Sequence, residues 1–272
     1  MFLLYPPDLT DGYDKIFHRR EGKMRWIYLS PHLDDAVLSC GGWIWYQVQK
    51  GQEVEIWTLC AGDPPEGPLS TYAQQLHRRW QTELNAVAIR RQEDREACAR
   101  IGATPRQFPL PDCIYRRDPR QNRPIVNRDE DLFQPALPSS ERPRVAIVRE
   151  WLEASLTDPF ILVCPLGLGG HIDHHLTRAA AEALARPSLW YYAEFPYALR
   201  ECREGFYPLS THRPYPLELP AEALEIWVEA IACYRSQLST FWPDLDALNR
   251  ELRLYYQNCK GQILWMPMKD SR

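Results

Sequence analysis

Apolar runs alternate along the chain with stretches of helical periodicity. "MRWIYLS" (24–30) and "EVEIWTLCAG" (53–62) are nearly continuous apolar segments, the composition of strands covered on both faces. Between them, "AVLSCGGWIWYQVQKG" spaces its apolar residues for a helix and stops at Gly51. These segments predict one β-α-β unit with parallel strands and a right-handed crossover. The rhythm continues with a long helical pattern over 73–103, a short strand within "RQFPLPD" (106–112) and an amphipathic helix over 144–158 ended by Asp158-Pro159. A buried strand over 160–167, an Ala-rich helix through "HHLTRAAAEALA" and a strand in "LWYYAEF" (189–195) follow. A helical stripe then runs through Leu224, Val228, Ile231, Tyr234, Leu238 and Phe241, and "QILWMPM" is expected to close the sheet as an edge strand. The alternation predicts an α/β fold with a mostly parallel sheet.

Residues 111–143 break the pattern, being rich in Pro, Arg and Asp with little periodicity. A connection of that length is functional or disordered as a rule, so a lid, a substrate wall and a mobile surface insertion all stay open. No repeat or interdomain linker is visible. The expectation is one domain over 1–272, with residues 1–22 as an N-terminal extension.

Composition narrows the partners. A formal net charge of −4 gives no electrostatic case for nucleic acid. No window approaches the roughly 18–20 apolar residues of a membrane span. The start, "MFLLYPPDLTDGYDK", lacks the basic residues and length of a secretory signal. Eight cysteines are scattered without a CxxC pair, mostly in apolar or helical stretches, which points to reduced thiols and a cytoplasmic protein. Cys40 reads as an inert buried thiol and the tryptophans mostly as core, with no sugar-stacking face assigned.

Two histidine clusters stand out, "SPHLDD" (His32, Asp34, Asp35) and "GLGGHIDHH" (His171, Asp173, His174, His175). Each follows a predicted strand and precedes a predicted helix, so both lie at the carboxyl edge of the sheet, where α/β proteins bind ligands. Either alone has a plain reading, an acidic helix cap or a solvated helix start. Together they suggest a metal site. His32 and Asp35 can both turn inward, the second loop can supply a third ligand, and zinc favours such imidazole and carboxylate donors. Asp34 is left to carry protons.

At this point the residues resemble a family. "SPHLDDAVLSCGG" is similar to the first signature of the PIG-L/LmbE-like N-deacetylases, and "GGHIDHH" to their second, His-x-Asp-His. Weaker echoes are "RRQEDREACARIGA" (Arg-x-x-Glu), "YYAEFPYA" and "CYRSQL" (Tyr-x-Ser-Gln). The resemblance implies a Rossmann-like sheet with helices on both faces and zinc-dependent removal of an N-acetyl group from an amino sugar, of the N-acetylglucosamine type, or a glycoconjugate. It implies His32, Asp35 and His174 as ligands of one Zn2+, with other divalent metals open. It implies Asp34 as general base and then acid, His171 as stabiliser of the oxyanion, and Asp173 orienting a histidine from behind. Leu33 replaces the usual proline, Gly169 stands where some members carry a tyrosine, and His175 is a rival ligand. Asp63, Arg90 and Glu194 are candidate substrate contacts, as is Tyr197. Plainer readings stay open, a turn at Asp63 and a solvated Arg90–Glu93 ion pair. Hydrolysis of another amide or an ester, and a non-catalytic carbohydrate- or metal-binding relative, are the alternatives. A homo-oligomer is left open.

Overall fold

The computed structural model describes residues 24–268, apart from 83–84, 158, 185–188, 202–208 and 260–261. The N-terminal segment and Cys202 therefore lie outside the described residues. Seven strands form one sheet in the order β3-β2-β1-β4-β5-β7-β6. In chain order these are β1 (Arg25–Ser30), β2 (Glu53–Thr58), β3 (Thr104–Gln107), β4 (Phe160–Pro165), β5 (Leu189–Tyr192), β6 (His212–Leu217) and β7 (Gln262–Pro267). The first five are parallel, while β7 runs antiparallel to both β5 and β6.

The apolar character of β1 has a direct structural cause. Trp26 and Tyr28 enter one core, with Val54, Ile56, Val163 and Tyr192, while Ile27 and Leu29 enter the other, with Trp57, Leu162 and Cys164. Helices cover both faces, as expected. On the first lie α1 (Asp35–Gln49), α3 (Ala86–Ile101) and α7 (Ala221–Ile231), packed on one another. On the second lie α4 (Arg142–Ser155) and α5 (Ile172–Glu182). The Gly41-Gly42 pair lets α1 and α7 approach closely. A Cβ on Gly41 would lie 2.6 Å from Cδ1 of Trp227, whose indole N–H donates to the Val37 carbonyl at 2.7 Å.

Three expectations need correction. The helical pattern over 73–103 is interrupted, giving α2 (Thr71–Arg79) and then α3, with Gln81 at a positive φ of 56° between them. The break brings Trp80 to the site described below. The stripe over 221–241 is likewise divided into α7 and α8 (Arg235–Phe241). Finally, β7 is not an edge strand, because β6 ("HRPYPL") pairs outside it. An edge position tolerates Pro214 and Pro216, which cannot donate to a ladder. The short α6 (Ala198–Glu201) and the longer α9 (Leu245–Asn258) complete the chain order.

Candidate active site

The strand order reverses between β1 and β4, which are hydrogen-bonded neighbours. Their carboxyl ends flank the crevice that such a reversal opens, and the two histidine clusters meet there. After β1, the chain turns through Pro31–Asp34 into α1. Ser30 Oγ fixes this turn, donating to the His32 carbonyl at 2.6 Å and accepting the Ala36 N–H at 3.0 Å. Asp34 occupies the helix N-cap position but makes no side-chain capping bond. Asp35 instead accepts the His32 N–H at 2.8 Å. The acidic pair is therefore more than a helix cap.

After β4, Gly167, Gly169 and Gly170 all take positive φ values, which explains the glycine-rich loop. His171 caps α5, its Nδ1 accepting the Asp173 N–H at 3.2 Å. The neutral ring then carries its proton on Nε2. His171, Asp173 and His174 are buried, so this is not a solvated helix start. The rings of His32, His171 and His174 lie with centroids 4.7–5.6 Å apart.

Asp35 lies between two imidazoles, and ligand atoms of His32, His171 and His174, and of His32, Asp34 and Asp35, come within 4.8 Å of one another. His32 Nδ1 lies 3.1 Å from Asp35 Oδ2, and His174 Nε2 lies 3.3 Å from Asp35 Oδ1. Donors held at about 2.0–2.1 Å around a tetrahedral zinc sit roughly 3.3 Å apart. The far nitrogen of each imidazole meets a carboxylate. His32 Nε2 is 3.1 Å from Asp173 Oδ2, and His174 Nδ1 is 3.1 Å from Glu194 Oε1. Histidine ligands of metals are backed in this way. The donor set fits a divalent cation. His175 points elsewhere, its Nε2 meeting the Gln134 carbonyl at 2.9 Å.

The charges agree with that fit. Burial alone would depress His32, but Asp112, Asp35 and Asp173 lift it well above the usual imidazole value. Burial likewise opposes the charged form of His174, yet Asp35 and Glu194 raise it to about 9. Despite burial, Asp35 is held well below the carboxylate range by His174 and His32, and Asp173 by Arg116 and His32. Carboxylates that favour imidazolium equally favour a cation in the same place. His171 differs, since burial and the neighbouring His32 and His174 push it well below 6.5. Asp34 differs too, because burial and the charge of Asp35 raise it to about 6, against the pull of Arg90.

A cavity of about 140 Å³ opens onto this cluster. Asp34, Asp35, His32, His171, His174 and Arg90 line its floor side, with Trp80, Phe133, Tyr197 and Phe241 among the apolar walls. Arg90 is no solvated partner of Glu93. It pairs with Asp34 at 3.6 Å and Asp112 at 3.7 Å, and lies over the Trp80 ring. Glu93 instead accepts the N–H and hydroxyl of Ser236, joining the Arg-x-x-Glu helix to the Tyr-x-Ser-Gln element. Glu194 and Asp63 lie outside the cavity lining. Glu194 sits behind His174 and also accepts the Gly167 N–H at 2.6 Å. Asp63, its side chain 69% exposed, pairs with Arg91 at 2.7 Å. At Gly169, a Cβ would lie 2.7 Å from the Tyr197 ring, so an aromatic group reaches that space from another loop.

Sequence reasoning missed Asp112, Arg116 and Phe133, all from the 111–143 stretch. Asp112 closes the "RQFPLPD" segment, whose expected strand lies earlier, as β3 at Thr104–Gln107, leaving Asp112 in the connection that follows. The stretch itself is packed, with Cys113, Ile114, Tyr115 and Val126 buried against Tyr72, Leu76 and Trp80. Cys40 is fully buried, as are Cys98, Cys113 and Cys164. No described helix is long and apolar enough to cross a membrane.

Comparison with known proteins agrees with this geometry. The family model described as "PIG-L: GlcNAc-PI de-N-acetylase" matches residues 27–185, the span holding both clusters. The chain belongs to the PIG-L family. It is 27% identical over 195 residues to 2'-N-acetylparomamine deacetylase of Niallia circulans, covering 65% of this chain and 69% of that protein. The zinc-inhibited form of teicoplanin deacetylase Orf2 superposes with a TM-score of 0.79 at 26% identity, over 92% of this chain and all of that one (100%). A40926 pseudoaglycone deacetylase Dbv21 gives 0.72 at 27%, over 90% and 97%. This PIG-L chain is a hydrolytic N-deacetylase with a metal-site candidate at its histidine–aspartate cluster.

Proposed function

We propose that this PIG-L chain, as a single deacetylase domain, uses zinc to remove the acetyl group from an N-acetylated sugar within a glycoconjugate. The observation that carries the reading is that Asp35 meets both His32 and His174, each imidazole backed by a further carboxylate, with Asp34 and His171 in the same cluster. His32, Asp35 and His174 would hold the metal. When bound, zinc supplies Lewis acidity that polarises an acyl carbonyl and acidifies a water. Relatives named for 2'-N-acetylparomamine and teicoplanin support an acetylated glycoconjugate as substrate. The buried thiols suit a reducing, cytoplasmic compartment.

The remaining steps belong to the chain's own residues. Asp34 takes a proton from the attacking water as its oxygen bonds to the acyl carbon. His171, neutral and bearing its proton on Nε2, donates to the developing oxyanion. As the C–N bond breaks, Asp34 returns its proton to the amine, releasing acetate and the amino sugar. A carboxyl group near pKa 6 can do both at neutral pH. Arg90 keeps Asp34 in place and ionised, while residues 111–143 form one wall of the cavity. The test is acetate release from acetylated glycosides. Asp34→Ala should keep zinc yet lose roughly 10²–10⁴-fold in turnover. His174→Ala should lose zinc while His175→Ala keeps it, and the opposite pattern would reassign the ligand.

A further inference from the structure

Arg116 has no place in the chemistry above. It does not line the catalytic cavity, yet it is 3% exposed and surrounded by charge. Its Nη2 pairs with both Asp173 Oδ1 and Glu141 Oε2, the latter at 2.8 Å, and its Nη1 donates to the Pro111 carbonyl at 3.2 Å. Asp173 and Glu141 are both fully buried. The second oxygen of Asp173 accepts the Cys113 N–H at 3.0 Å and meets His32 Nε2 at 3.1 Å. One guanidinium thus fixes one oxygen of a carboxylate whose other oxygen fixes a histidine. Residues 111–143 supply Arg116, Cys113 and Glu141, so this stretch supports the site from behind as well as walling it in front.

Burying three charges is a poor way to stabilise a fold, since hydrophobic replacements of similar volume often do as well or better. A planar guanidinium is, however, suited to hold the two carboxylates on Nη2 and the Pro111 carbonyl on Nη1 in one fixed relation, a fork that a lysine ammonium does not reproduce. We infer that Arg116 is a positioning residue for the metal site, acting through Asp173 to hold the His32 ring with Nδ1 toward Asp35. The inference rests on the metal-dependent reading above and extends it to a residue that touches neither metal nor substrate. Loss of partners behind a metal-bound histidine costs about 10–100-fold in affinity. Arg116 acts one contact further back, so about tenfold is expected.

The test is zinc affinity of the full chain, by chelator competition, with the fold of the metal-free protein followed by circular dichroism and thermal melting. Arg116→Lys keeps the charge and loses the fork between the carboxylates and the Pro111 carbonyl. The double variant Arg116→Met, Glu141→Gln removes one cation and one anion together, guarding against simple misfolding from charge imbalance. Both should fold without metal and bind zinc about tenfold more weakly. In a His32→Ala background the same changes should cost nothing further. Unchanged affinity beside a lowered melting temperature would make Arg116 purely structural and overturn the inference alone. An equal loss with and without His32, or failure of both variants to fold, would also overturn it. If the unsubstituted chain binds no zinc, the metal-dependent reading falls with it.

Discussion

Replacing Arg90 with Gln removes the cation nearest the proposed proton carrier while leaving a side chain of similar reach. Arg90 Nη2 lies 3.6 Å from Asp34 Oδ2, with side-chain exposures of only 9% and 7%. At that separation and an effective dielectric near 20, the attraction is roughly 4–5 kcal/mol. Arg90 shares its charge with Asp112, 3.7 Å away, so the effect on Asp34 alone is smaller. An arginine beside an aspartate moves its pKa by about 1–3 units, or roughly 1.4–4 kcal/mol. Arg90 lowers Asp34, which burial and Asp35 have raised to about 6, so its loss moves Asp34 further up. A base works only when ionised, so the acid limb of kcat/KM should shift to higher pH by about 1–3 units. In the metal-free protein the ionised fraction at pH 7 would fall from about nine-tenths to between roughly half and one-hundredth, and in the zinc-loaded enzyme activity should recover at higher pH. A bound cation displaces the limb in both proteins, so the difference between them is the measured quantity. Arg90→Lys, still positive, should stay near the parent profile. The assay is acetate release by the zinc-saturated protein from pH 5 to 10. An acid limb that Arg90→Gln leaves unmoved would refute the assignment of Asp34 and Arg90 together.

Zinc binding should release protons at pH 7, because His32 lies well above 6.5 and His174 near 9 without metal. Titration calorimetry in buffers of differing ionisation enthalpy would show it, and apparent affinity should rise with pH. In the metal-free protein, the raised His174 contributes stability that is fully present below about pH 6.5 and lost as pH rises through about 9. Its melting temperature should fall over that window, and a flat profile would contradict the ion pairs. Gly41→Ala should lower stability by about 1–3 kcal/mol, since its Cβ meets the Trp227 ring at 2.6 Å. Denaturant unfolding would measure the loss, and no loss would mean that the interface between α1 and α7 gives way easily.

The floor of the site was legible because it follows from local rules. Apolar runs gave β1 and β4, each was followed by a polar cluster, and parallel topology brought the strand ends together. Side-chain direction was harder to read. Asp63 and Glu194 both follow strands, yet Asp63 turns to Arg91 while Glu194 turns inward behind His174. Nothing in their spacing distinguishes those outcomes, because long-range partners decide them. The break after α2 was hidden by helix-forming residues on both sides of Gln81, and β6 by its two prolines. Arg116 and Asp112 lay in a stretch without periodicity, where pattern carries no information about which polar residues will be buried.

The stretch from 111 to 143 is seamed to the second histidine loop by backbone pairing. Phe133 bridges His171, and the Gln134 N–H meets the Gly170 carbonyl at 2.7 Å. Its side chains divide into two sets. Asp112, Arg116 and Glu141 face inward and are buried, whereas Phe133 stays 40% exposed at the cavity mouth. For protein engineering this makes the segment separable into a frame and a face. Grafts that keep the inward residues and the seam can vary the mouth, while wholesale loop exchange would disturb the histidine cluster along with it.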